Sequence, residues 1–104
     1  MTTMTAERDL RATYPKLCEL RVSQMGVRGA ARLLAEDYAD VAPGWRELDA
    51  DKLAHELVGV ARGVVRDLRT MAAEEGDLGE YEVAYTLRAH ARELLAELRD
   101  VAGE

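Results

Sequence analysis

Gly59, Arg62, Gly63 and Arg66 fall on one face of a helix, and their residue types need a reason. A glycine inside an exposed helix costs about 1 kcal/mol relative to alanine, and this chain uses alanine freely elsewhere. Two glycines one turn apart bare the backbone, so that a second helix or an anionic group can come close. The two guanidiniums, with Arg69 and Thr70 beyond them, offer charge-assisted hydrogen bonds to what arrives. Contact with another protein is the function expected of this face. The plainer readings are a tolerant surface or a packing groove for the protein's own first helix. Gly29, between Arg28 and Arg32, is a fainter copy of the pattern.

Tyr81, Tyr85, Arg88 and Arg92 form a second set along one helix face, with groups able to grip a carboxylate or phosphate. They carry the alternative reading, a small helical enzyme or a binder of an anionic small ligand. The plainer account has the tyrosines covering an edge of the fold with their hydroxyls in water. Asp51 and His55 are four residues apart and would supply half a metal site. Glu36, Asp37 and Asp40, and then Glu74, Glu75, Asp77, Glu80 and Glu82, cluster without the loop spacing of oxygen ligands. They read as solvated helix ends, and neither a metal nor another cofactor is expected. Cys18 lies beside an apolar stripe with no histidine near it in sequence, which predicts a buried thiol rather than a nucleophile.

Those side chains need elements to carry them. An apolar stripe recurs three times at a thirty-residue interval: Val27, Ala31, Leu34; Leu57, Ala61, Val64; and Leu87, Ala91, Leu94. Each has the three-four spacing of one helix face. An arginine follows each central alanine, at Arg32, Arg62 and Arg92, but solenoid units pair two elements per repeat. Three similar helices joined by short turns account for the interval. A short helix is expected from Thr5 to Thr13, ended by Pro15, which can open the next one. That helix is expected to reach Asp40 through Leu17, Leu20, Gln24, Val27, Ala31 and Leu34, with a joint near Met25 and Gly26.

Ala42-Pro43-Gly44-Trp45 suits a type II turn, with Trp45 as a lid on one end of the fold. Asp49 is the expected cap of a third helix running to Ala73, with Leu48 and Leu53 as its staple. Gly76 is the expected left-handed stop, and Asp77 with Glu80 the capping pair of a last helix. Leu53, Val58, Val60 and Val65 flank the third helix's stripe, so that helix should be central and buried on more than one side. The expected fold is a single all-α domain over residues 1–104, an antiparallel bundle of three long helices plus a short N-terminal helix.

Composition narrows the function. The chain has 104 residues, a net charge of −6 and no phenylalanine, so Leu, Val, Ala and Met must fill a thin core. Such domains often bury a further stripe by pairing, and a homo-oligomer, a dimer in the first instance, is expected. The acidic balance makes nucleic acid an unfavourable partner, which leaves a DNA-binding regulator as the second alternative. One cysteine excludes an intrachain disulfide and suits the reducing cytoplasm, and no stretch is apolar for long enough to enter a membrane.

Gly26 to Leu34 resembles the first helix of some helix-turn-helix domains, but the residues that follow, Ala35-Glu36-Asp37-Tyr38, offer no turn glycine and would present acid to DNA. Gly44-Trp45 reverses the order found in WXG-type helical hairpins. Glu97 and Asp100 have the spacing of one acidic pair of the all-helical nucleotide pyrophosphohydrolases, and the second pair is missing. The function expected is therefore a small regulatory or interaction subunit, acting through helix faces on another protein and without chemistry of its own.

Overall fold

A computed structural model describes residues 15–37 and 50–104. The expected N-terminal helix, the turn at Pro43 and Gly44, Trp45 and the Asp49 cap lie outside these residues. The described chain is all-helical: α1 (Pro15–Asp37), α2 (Ala50–Glu56), α3 (Val58–Asp77) and α4 (Tyr81–Ala102). All three thirty-residue stripes enter one core: Leu87 is half-buried and the other eight residues are buried. As expected of a central element, α2 and α3 each pack against both α1 and α4.

Helix α1 is two helical pieces joined at Gly26, whose backbone lies at φ 78° and ψ 179°. That conformation is open almost only to glycine. It also resets the helical phase. In the second piece the expected stripe holds, with Val27, Ala31 and Leu34 buried. In the first piece the buried side chains are Cys18 and Val22, while Leu20 is exposed. A stripe projected through Gly26 as though the helix were continuous therefore selects the wrong face before the joint. Cys18 is buried, as its place beside the stripe implies.

The joint is held by α4. The Glu97 carboxylate accepts a hydrogen bond from the Val27 backbone N–H, so a side chain of another helix caps the second piece of α1. One turn on, Asp100 pairs with Arg28 at 2.7 Å.

The helix expected from Asp49 to Ala73 is divided at Leu57, where φ −87° and ψ −3° depart from helical values. The Leu57 N–H is shared between the carbonyls of Leu53 and Ala54 at 3.0 and 3.1 Å. The following Val58-Gly59-Val60 has low helix propensity, which makes this the cheapest place to bend. Met71, expected on the buried stripe, is 48% exposed.

Helix α3 then runs past Gly76 to Asp77, and the left-handed stop is Gly79, at φ 83°. The Glu80 N–H reaches the Glu75 carbonyl at 2.8 Å and the Gly79 N–H reaches Gly76 at 3.1 Å, a Schellman closure. Gly76 is helical, and a Cβ there would stand 3.7 Å from Arg88 Nη2 of α4, an ordinary contact distance. Asp77 and Glu80 do not form the expected capping pair. Asp77 ends α3, and Glu80, at the α4 N-cap, makes no side-chain capping bond. A second Schellman closure at Gly103 ends α4 and turns Glu104 back toward α3.

Candidate functional site

Gly59 and Gly63 lie on the outer side of α3, and among the described residues no helix needs them small. Among the described residues a Cβ at Gly59 would meet nothing within 4 Å, and one at Gly63 would meet only Arg66 Nη2, at 3.9 Å. The first helix expected to pack there lies outside the described residues. Gly59→Ala should raise stability by about 1 kcal/mol, the ordinary helix-propensity gain, and urea denaturation reads it. An unchanged or lower midpoint would mean that the bare backbone matters to the fold itself.

The two arginines of this face have different surroundings. Arg62 Nη2 donates to both carboxylate oxygens of Glu104 at 3.0 Å, an ion pair made possible by the Gly103 turn. Arg66 is more open, with an 80% exposed side chain and only Asp67 near it, at 3.9 Å. Together they rim a groove of about 520 Å³ between α3 and α4, whose lining also includes Val65, Arg69 and Leu95. The groove thus has apolar side chains in its floor and cations along its edge.

Of the second set, Arg88 and Arg92 meet in one cleft of about 320 Å³, and among the described residues Arg69 joins their lining from across on α3. Tyr81 and Tyr85 do not join them. They are exposed, as are Leu78 and Val83, around the turn between α3 and α4. The signal that would have placed Arg69 was available in part, because it stands seven residues after Arg62 and so on the same face of α3. Its meeting with Arg88 and Arg92 depends on the register between two helices, which no single-helix pattern contains.

Sequence spacing that suggests metal chemistry has structural uses here. His55 Nδ1 lies 2.7 Å from the Asp51 backbone carbonyl, to which it donates, rather than sharing a ligand site with the Asp51 carboxylate. Glu97 and Asp100 are engaged with Val27 and Arg28. Among the described residues no group of three or more His, Cys, Asp or Glu side chains is placed to hold a metal. No described helix is long and apolar enough to cross a membrane.

Charge is sorted by side on α4. Glu93 and Glu97 face the Gly26 joint, together with His90, whereas Arg88 and Arg92 face the outer side of α3. A chain of net charge −6 thus presents a local basic strip. Comparison with protein-family models, with curated proteins and with solved structures finds no significant match to this chain.

Proposed function

We propose that this protein is a non-catalytic interaction subunit whose α3–α4 face receives an acidic amphipathic helix of a partner protein. The observation that carries the reading is the groove lined by Val65 and Leu95 together with Arg62, Arg66 and Arg69, on the helix that also carries Gly59 and Gly63. An amphipathic helix lays its apolar stripe in such a groove, and acidic side chains flanking that stripe meet the guanidiniums. The bare glycines let the partner's backbone close in without displacing a side chain.

The reading includes an antiparallel pairing of α3 and α4. Arg62, early in α3, meets Glu104 beyond the end of α4, and Gly76, late in α3, lies under Arg88, early in α4. It also includes a homodimer, supported by Leu78 and Tyr81, 76% and 74% exposed, at the hairpin end. A reducing cytoplasm suits a chain with one cysteine.

Affinity capture with wild-type protein, Arg66→Glu and Gly59→Leu tests the partner surface. One protein should be retained by wild type and lost from both variants, whose circular dichroism stays unchanged because both positions are exposed. The same retained set on all three proteins would refute the assignment.

A further inference from the structure

We infer that the cleft between α3 and α4 formed by Arg69, Arg88 and Arg92 is a binding site for a phosphate group. Among the described residues three guanidiniums from two helices line it, and no other described residue does. Among the described residues none of the three has a carboxylate within ion-pairing distance, whereas Arg28 and Arg62 both do. Hairpin-end acids such as Glu74, Glu75 and Asp77 are close in sequence to α3's last turn, yet none of them reaches the cluster.

The fold gains nothing from this arrangement. Arg88 and Arg92 are a like-charge pair four residues apart on one helix, an unfavourable spacing, and Arg69 adds a third cation. All three are exposed, so apolar burial does not account for them. Arginine also cannot shed its proton to relieve the repulsion, so the charge persists at any physiological pH. A multiply charged anion converts the mutual repulsion into attraction. Three planar forks arriving from two helices surround a tetrahedral oxyanion, while a planar carboxylate has room for fewer bidentate contacts. At about 320 Å³ the cleft is at the small end of ligand sites and suits a phosphate with a small attached group.

The same chemistry is offered by free phosphate and by a small phosphomonoester. Titrating isotopically labelled full-length chain with inorganic phosphate, at constant ionic strength, should give saturable amide and guanidinium shifts centred on Arg69, Arg88 and Arg92. Arg88→Gln and Arg92→Gln should each weaken phosphate binding at least about tenfold, the loss of one charge-assisted contact. Arg32→Gln, on α1, should leave it unchanged. A nucleoside 5′-monophosphate binding tenfold tighter than inorganic phosphate would assign the cleft to phosphorylated small molecules, and equal affinities would assign it to phosphate itself. Equal shifts with chloride, or phosphate affinity unaltered in the two α4 variants, would overturn the inference. The groove proposed for the partner shares only Arg69 with this cleft, so either assignment can fail while the other stands.

Discussion

Gly26→Ala should lower the melting temperature by more than about 10 °C, the largest effect expected of any single methyl group added to this chain. Two costs combine. An alanine would have to hold φ 78° with ψ 179°, a region that costs about 1–3 kcal/mol. Its Cβ would also stand 2.6 Å from Glu97 Oε1, so the carboxylate must move off the Val27 N–H. Leaving that donor without its partner adds about 1–3 kcal/mol. A sum of about 2–6 kcal/mol is a large share of what a domain of this size has to lose.

Thermal and urea unfolding followed by circular dichroism would measure the loss, and a midpoint within about 2 °C of wild type would refute the account. Glu97→Ala provides the mechanistic check. It removes both the cap and the obstacle, so the double variant should be more stable than the two single losses predict. Glu97→Gln keeps the accepting oxygen and should be milder than Glu97→Ala. Strict additivity in the double variant would mean that the backbone conformation alone carries the effect.

Leu57→Ala should destabilise by about 2–5 kcal/mol, the range for emptying a leucine site in a packed core. Leu57 is fully buried where α2 meets α3, and its side chain belongs to the same cluster as Leu53, Ala61 and Leu98. The position is also the bend of the element that touches both α1 and α4. Collapse around the cavity is restricted there, since closing it would shift two interfaces at once. Equilibrium urea denaturation with the slope held in common reads the change in midpoint. A loss below about 1 kcal/mol would show that the bend relaxes into the space.

Most of the helical architecture is legible in the linear chain because helix burial is a local, periodic property. Ala61, Val64 and Leu68 in α3, and Ala84, Ala91, Leu94, Leu98 and Val101 in α4, are buried at the positions their spacing indicates. Gly26 is legible as a joint, since glycine interrupts a strong apolar pattern there. The candidate site is legible only in halves: Arg62 and Arg66 from one helix, Arg88 and Arg92 from another.

What the tertiary structure decided involves residues brought together from afar. Glu97, which by spacing is only half of an acidic-pair pattern, reaches a backbone amide 70 positions away and serves as a helix cap. Gly76 and Gly79 are equally good stops by type, and in the fold the first stays helical while the second takes positive φ and closes the turn. The choice between Leu20 and Cys18 as a core residue follows from the rotation at Gly26 and not from hydrophobicity. Arg69 joins Arg88 and Arg92 through the register of α3 on α4. Spacing along one helix specifies which side chains share its face. Which faces meet, and at what height, is set by the packing of whole helices and by the few long-range hydrogen bonds that lock it.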